Sequence, residues 1–258
     1  MRDQLLEFEI GLDEGVCDEV VVHEWGRAFL TPSLPMVWDA SWVLIERSGM
    51  GVAEILAAAD AALSGFEHRT VVCRGEADGQ RVAEEFATLP GWKVERVIYM
   101  VWKGWPEGEG GRQRVTEDVA ELPLAELEAL RRQIHLSELP ARPDPEAVST
   151  QLLALDRRYG TVAGDRWFAA PGAEPASACR LLSRGRGLSQ VEEVATLAAA
   201  RERGLARATV EAAILAAGVD GAETIFLTAD AEDWPQVFYA RLGFSPIGGY
   251  TVFSRKPI

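Results

Sequence analysis

The sequence has few of the residues that build disulfide frameworks and metal sites. Its 258 residues include three cysteines and three histidines, and an odd number of cysteines cannot pair completely within one chain. The members of both sets are far apart, and each cysteine lies in an apolar, strand-like setting. We therefore expect buried free thiols, no disulfide and no metal site. The residues concerned are Cys17, Cys73, Cys179, His23, His68 and His135.

Long apolar runs are missing too. Although 48% of the residues are hydrophobic, no run approaches the roughly 18 residues that span a bilayer. The first residues are charged and lack a secretory apolar stretch, so we expect a cytoplasmic protein. The composition is globular, and the length allows one large domain or two of ordinary size, with a sizeable core.

Basic residues are in short supply, and the deficit is uneven. The formal net charge is −14. Residues 1–110 contain 20 acidic and 9 basic residues, or −11, and the remainder carries −3. A surface of this sign repels nucleic acid and anionic membranes, so we expect neither as a partner, and it attracts cations. Solubility alone is the alternative explanation of the charge.

What the sequence does contain is an alternation of strand and helix patterns. After a predicted strand at residues 16–22, residues 42–102 predict the order β, α, β, α, β. Residues 105–111 are rich in glycine and acid and predict a linker. The pattern beyond it predicts β, α, α, β, β, β, α, β, α, β. The fold class is therefore α/β, or α+β.

Residues 191–208 contain the most informative local pattern. An apolar, β-branched run that includes two adjacent acids precedes Arg201-x-x-Gly204-x-Ala206, and an alanine-rich helical pattern follows. This order predicts a strand, a tight loop and the start of a helix. The first N–H groups of a helix lack partners and carry partial positive charge, which suits phosphate oxygens. A loop that merely begins a helix is the alternative.

A second pattern, Tyr239-x-x-x-Gly243-Phe244, follows a strand-like run at residues 224–229. The pattern at residues 201–206 fits the pyrophosphate loop Q/R-x-x-G-x-G/A. Together the two patterns resemble the GNAT superfamily of acyl-CoA-dependent N-acetyltransferases, over roughly residues 113–258. The resemblance implies a mixed, mostly antiparallel sheet flanked by helices, with acetyl-CoA as co-substrate.

The resemblance assigns acetyl-CoA to the strand and the loop. In the family the strand before the loop separates from its neighbour, and its free backbone groups pair with the pantetheine arm. Here these groups belong to Val194, Ala195 and Thr196, and the adjacent acids before them favour a β-bulge. Loop N–H groups would hold the pyrophosphate, and the arginine side chains would add charge-assisted contacts unless they only form a solvated edge. The loop residues are Arg201, Glu202, Arg203, Gly204, Leu205, Ala206 and Arg207.

The resemblance also implies catalytic roles. Tyr239 corresponds to the general acid toward the departing thiolate, because a phenol with a pKa near 10 is protonated at neutral pH. Packing before the glycine turn is the alternative. Glu192 or Glu193 would accept the amine proton, directly or through water, unless each is only an edge-strand charge. The departures from the family's pattern are Ala198 for a frequent proline, Glu202 within the phosphate loop and Glu232 for a frequent asparagine.

The order predicted for residues 42–102 repeats that of residues 191–254, so we predict two tandem copies of one fold. Residues 1–112 form a degenerate copy without the loop pattern, and residues 113–258 form the copy with intact motifs. We expect an N-acetyltransferase acting on a primary amine of a small molecule or side chain, with a cationic acceptor favoured by the acidic half. The alternative is a non-catalytic acyl-CoA-binding or regulatory protein. The sequence leaves the oligomeric state open.

Overall fold

The computed structural model describes residues 1–105, 119–139, 142–170, 174–185 and 187–257. The chain forms two compact units. The first comprises Met1–Tyr99, Ala229–Trp234 and Ile247–Ile258, and the second comprises Met100–Thr228 and Pro235–Pro246. The predicted boundary between residues 112 and 113, with most of the predicted linker, lies outside the described residues and stays a prediction.

The helices and strands follow one another through most of the described chain. The first part of the chain contains α1 (Arg2–Val16), β1 (Glu19–His23), β2 (Gly26–Leu30), β3 (Trp42–Ile45), α2 (Val52–Ala62), β4 (Arg69–Cys73), α3 (Glu76–Thr88) and β5 (Trp92–Trp102). The remainder contains β6 (Ala120–Leu122), α4 (Leu124–Glu138), α5 (Pro145–Val162), β7 (Gly164–Ala169), β8 (Ser177–Ser183), β9 (Leu188–Thr196), α6 (Leu205–Val219), β10 (Thr224–Asp230), α7 (Pro235–Ala240) and β11 (Phe244–Arg255).

The first unit has a mostly antiparallel sheet in the order β1-β2-β3-β4-β11-β5. Strands β3 and β4 are parallel, whereas β1 with β2, β2 with β3, and β4 with β11 are antiparallel. Helices α2 and α3 bury an apolar face against this sheet, and Ile55, Val82 and Phe86 belong to its core with Phe253 of β11. Burial of such side chains contributes about 1.5–3 kcal/mol each, which fixes the helices to the sheet.

In the second unit the strands are neighbours in the order β10-β9-β8-β7-β6 and are mostly antiparallel. Strands β9 and β10 are parallel, and the other neighbours are antiparallel. Leu127, Leu130 and Ile134 recur at helical spacing on α4 and pack on Trp167 of β7 and Ala178 of β8. The predicted fold class, with mostly antiparallel sheets flanked by helices, is confirmed.

The predicted repeat of β, α, β, α, β also holds. It appears as β3-α2-β4-α3-β5 and again as β9-α6-β10-α7-β11, and in each copy the first two strands are parallel. The strand predicted at residues 16–22 is wrong in its first part, because α1 continues to Val16. Four acidic side chains separate the buried residues of α1 and obscured its apolar face in the sequence. Cys17, which follows α1, is half-buried, whereas Cys73 and Cys179 are buried as expected.

The end of the chain completes the first unit. Residues 251–255 of β11 pair antiparallel with β4, from Thr251 opposite Cys73 to Arg255 opposite Arg69. Gly79 of α3 leaves room for this strand, because a Cβ there would lie 2.8 Å from the hydroxyl of Thr251. In the described chain no helix combines the length and the apolar character needed to cross a membrane.

Candidate active site

Strands β9 and β10 separate part-way along their length. Their parallel register runs from Leu188 opposite Thr224 to Gln190 opposite Phe226. Both strands continue beyond this point, β9 to Thr196, yet the described pairing between them stops. The edge of β9 after Gln190 therefore offers backbone groups that no neighbouring strand uses, and such an edge pairs readily with an extended ligand.

A β-bulge lies in the separated part of β9. Ala178 of β8 pairs with Ala195, but Arg180 pairs with Glu192, so one residue of β8 is opposite two residues of β9. Glu193 occupies the bulge with a φ of 52°, in the left-handed region. The bulge predicted from the adjacent acids is therefore present.

Backbone alternation decides which groups of β9 face the gap. The N–H of Leu197 donates to the carbonyl of Ala176, 2.9 Å away. The backbone N–H of Leu197 is therefore directed toward the β8 side of β9. Successive residues of a strand direct their N–H and C=O groups to opposite edges. The groups of Thr196 and Val194 therefore point toward the gap, as the resemblance implied. The Thr196 carbonyl already accepts a hydrogen bond from Nε of Arg201 at 3.3 Å.

The loop after β9 ends in a helix with unpaired donors. Gly204 has a φ of 77° and immediately precedes α6, whose first helical hydrogen bond runs from the Ala208 N–H to the Gly204 carbonyl at 3.0 Å. Within the described chain, the backbone N–H groups of residues 202–206 donate to no other group. A Cβ at Gly204 would meet nothing within 4 Å, so the space beside this residue is open. This is an arrangement that binds phosphate oxygens.

Backbone strain concentrates in this region. Among the described non-glycine residues, positive φ values occur at Glu193, with 52°, and at Glu202, with 62°. Each costs on the order of 1 kcal/mol. One lies in the bulge and the other in the loop before α6, and strained backbone of this kind clusters at functional sites.

The arginine side chains of the loop differ in their engagement. Arg201 and Arg203 are exposed; Arg201 donates to the Thr196 carbonyl, and its charge also interacts with Glu138. Arg207 forms an ion pair with Glu211 one helical turn further on, with 2.9 Å between Nε and Oε1. Arg201 and Arg203 therefore have charge available for an anion, while part of the Arg207 charge is already neutralised.

Tyr239 lies on α7, just before a tight turn. Burial and the nearby Cys179 thiol raise the pKa of the Tyr239 phenol, which keeps it protonated at neutral pH. Cys179 is the β8 residue opposite the bulge, so the phenol is brought close to that part of β9. Gly243 follows with a φ of 92°, and a Cβ there would lie 1.9 Å from the carbonyl of Gly104. The glycine of the Tyr239 pattern is thus required by a close approach of two backbone segments.

Glu193 lies at the exposed end of an ionic cluster that the sequence did not reveal, and the arginines of this cluster are buried. Nη1 of Arg131, on α4, lies 2.6 Å from its carboxylate, and Nη2 of Arg131 lies 3.2 Å from Asp156 of α5. Asp156 also contacts Arg180, which forms two further hydrogen bonds of 2.8 Å with Asp165. The side chains of both arginines are at most 4% exposed.

The cluster changes the chemistry of Glu193. Crowding of the carboxylate by protein atoms would raise its pKa, but the adjacent Arg131 outweighs this effect and the pKa is lowered. Glu193 is therefore ionised at neutral pH and is a weaker base than an unpaired glutamate. Glu192 is half-buried, and its charge interacts with Arg180.

The corresponding loop of the first unit is already filled by the protein's own carboxylates. The Gly49 N–H donates to Asp78 at 2.9 Å, and the Gly51 N–H, at the start of α2, donates to Glu54 at 2.9 Å. The Gly49 hydrogen bond is the main reason why the pKa of Asp78 is lowered. Strand β3 also stays paired with β4 to its last residue, Ile45 opposite Cys73. In the described residues of this unit, β3 therefore has no open edge toward β4, and two N–H groups of the loop are already occupied.

Comparison with solved structures identifies the architecture. A functionally unknown conserved protein from Staphylococcus epidermidis superposes with a TM-score of 0.68 at 14% identity, covering 93% of this chain and 94% of that one. A GCN5-related N-acetyltransferase from Kribbella flavida has a TM-score of 0.62 at 19% identity and covers 100% and 96%. A tandem GNAT protein from the clavulanic acid biosynthesis pathway has a TM-score of 0.51 at 14% identity and covers 90% and 79%.

This chain has the tandem GNAT fold. At these identities the likeness is one of fold. Comparison with protein-family models finds no match, and comparison with curated proteins finds none. In this GNAT fold, the gap beside β9, the bulge and the loop before α6 all belong to the second unit.

Proposed function

We propose that the protein transfers an acetyl group from acetyl-CoA to a primary amine. The observation that supports this most directly is the continuity of the site. A strand edge freed by separation from β10 leads, within a few residues, to a loop whose N–H groups are unpaired at the start of α6. The amides of a pantetheine arm suit the strand edge, and a pyrophosphate suits the loop.

The proposed binding roles follow from this geometry. Val194 and Thr196, on either side of Ala195, offer backbone groups to the pantetheine arm. The N–H groups of residues 202–206, together with the first turn of α6, face the pyrophosphate. Arg201 and Arg203 add charge because both are exposed and not held in an ion pair in the described chain. Glu202 opposes this with its own charge, so the backbone donors are expected to provide most of the affinity.

The proposed chemistry requires two proton transfers. The amine nitrogen forms a bond to the thioester carbonyl carbon, and the carbon–sulfur bond then breaks. Tyr239 donates its phenolic proton to the departing sulfur. The proton lost by the amine goes to Glu192 or Glu193, directly or through water. The ion pair with Arg131 lowers the basicity of Glu193, and the charge of Glu192 interacts with Arg180.

We propose one acetyl-CoA per chain. In the first unit, Asp78 and Glu54 accept hydrogen bonds from two N–H groups of the corresponding loop, and their negative charges would repel a pyrophosphate. Residues 1–112 are on this proposal a degenerate copy, and residues 113–258 the acetyltransferase copy. The acidic character of the first 110 residues favours a small cationic amine or a basic side chain as acceptor.

The test combines binding and turnover in the full chain. Calorimetry should give one acetyl-CoA per chain, and release of free thiol should be observed with at least one member of an amine panel. Binding without turnover across the panel would instead support an acyl-CoA-binding or regulatory protein. Absence of binding to any CoA thioester would reject both the acetyltransferase and the acyl-CoA-binding hypothesis.

A further inference from the structure

The bulge of β9 has a residue whose backbone conformation needs support. Glu193 has a β-carbon and yet holds a φ of 52°. The strand beside it has already separated, so hydrogen bonds to β10 do not constrain this part of β9. The conformation is therefore maintained by contacts on the β8 side and by the Glu193 side chain itself.

The side chain has one strong contact, with Arg131. The 2.6 Å ion pair connects the bulge to α4, and Arg131 is itself fixed by Asp156 on α5 and by the ring of Trp167, whose centroid lies 5.1 Å from the guanidinium carbon. A buried arginine with partners on three sides has little freedom to move. The bulge is thus tied to a rigid point in the second unit.

We propose that Arg131 is a positioning residue that holds Glu193, and with it the bulge, in the conformation that binds acetyl-CoA. This inference rests on the proposed function. Its consequence is that the Glu193 carboxylate stabilises the backbone of the bulge through its ion pair with Arg131. The amine proton is then accepted by Glu192 or by water. The groups that depend on the bulge are those of Val194 and Thr196, which follow it directly on β9.

Two substitutions at one position separate this role from a chemical one. Glu193→Gln and Glu193→Gly both remove the carboxylate and its ion pair, but glycine adopts the left-handed conformation without cost. For other residues that cost corresponds to about tenfold in an equilibrium constant. Glu193→Gln should therefore weaken acetyl-CoA binding about tenfold, while Glu193→Gly should bind within about threefold of the wild type. Arg131→Gln should behave as Glu193→Gln does.

The full chain is studied by calorimetry with acetyl-CoA and by NMR. Backbone carbon shifts of residues 192–196 report the left-handed conformation without any ligand. We expect the shifts of the left-handed conformation to be retained in Glu193→Gly and to be lost in Glu193→Gln and Arg131→Gln. Asp165→Asn is the matched control, because it breaks the Arg180 arm of the same cluster without touching Glu193. It should leave both the shifts and the affinity unchanged.

Three results would overturn the proposal. They are equal affinity in Glu193→Gln and the wild type, equal loss in the glutamine and glycine variants, and a loss in Asp165→Asn as large as that in Arg131→Gln. If Arg131→Gln does not fold, the comparison of the two Glu193 variants still decides. If the wild type binds no acetyl-CoA, the proposed function fails, and the ligand-free shifts still show whether Arg131 holds the bulge.

Discussion

Tyr239 packs in the fold and is also the proposed proton donor. Its ring packs edge-on against Phe244, with 6.1 Å between centroids, and its hydroxyl donates to no other group in the described part of the chain. The raised pKa keeps the proton in place until a basic atom comes near. Packing and catalysis therefore make different predictions for loss of the hydroxyl alone.

We expect Tyr239→Phe to lower kcat by about 10²–10⁴-fold with little change in the KM for acetyl-CoA, because a general acid acts in the transition state. The measurement is steady-state thiol release at saturating amine. Phenylalanine preserves the ring and its packing, so the melting temperature serves as the control. Turnover equal to the wild type would make Tyr239 a packing residue.

His135 gives the second unit a predictable response to acid. Its ring is buried beside Ser149, and burial together with the charge of Arg131 lowers its pKa to about 4. In the unfolded chain the His135 imidazole has a pKa near 6.5. Between about pH 6.5 and pH 4 the unfolded chain therefore binds a proton that the folded chain does not bind. Stability is therefore lost as the pH falls from about 6.5 to about 4, by up to about 3 kcal/mol.

We expect His135→Asn, which cannot titrate, to reduce that loss. Urea unfolding of both proteins from pH 7 to pH 4.5 gives the comparison. Burial raises the pKa of Asp156 to about 6, and this carboxyl contributes with the opposite sign over part of the range. The difference between the two proteins isolates His135. Parallel stability curves would show that His135 does not titrate in this way.

The catalytic and binding candidates were accessible from the sequence, whereas the ionic cluster was not. Motifs fix residues along the chain, but Arg131, Asp156 and Arg180 meet only after folding. A signal was present nonetheless. Arg131 lies on the apolar face of α4, one turn from Leu127, and Arg180 interrupts the buried run of β8. Charged residues at core positions need partners of opposite charge. Each of these two arginines therefore predicts a carboxylate beside it in the folded chain.

At the scale of elements, the strand–loop–helix unit around Gly204 is the part that the sequence predicted most completely. Its strand, bulge and helix start are present because local patterns encode them. The separation of β9 from β10 followed only from the resemblance, since no local pattern determines where two distant strands stop pairing. Helix α1 and strand β2 were missed, and β2 has only five residues, with Gly26 at its start.

We expect Gly204→Asp to abolish acetyl-CoA binding. Aspartate at a φ of 77° strains the start of α6, and its negative charge would lie near the N–H donors that are proposed to bind the pyrophosphate. Calorimetry on the full chain measures the loss. Gly49→Asp is the matched control in the first unit, where φ is 79° and Asp78 already occupies the N–H. Equal loss in both variants, or retained binding in Gly204→Asp, would contradict a single site in the second unit.

At the scale of the molecule, the uneven charge is the most testable feature. Residues 1–110 carry −11 of the net charge of −14. A negative surface would not attract acetyl-CoA, which is itself an anion. If the acceptor is cationic, its kcat/KM should fall as ionic strength rises, while kcat stays nearly constant, because salt screens attraction over about 8–10 Å. Initial rates from low to high salt provide the test. A flat profile, or a preference for neutral or anionic acceptors, would leave the charge as a solubility feature.

The course of β11 sets the order in which the molecule can be completed. Residues 251–255 pair with β4, and Phe253 enters the core of the first unit. A ribosome makes those residues after every element of the second unit. While the chain is being synthesised, one edge of β4 therefore stays unpaired, and β11 can cover it only after the loop before α6 has been made. The first unit, whose residues are mostly synthesised first, is therefore the unit whose last strand is synthesised last.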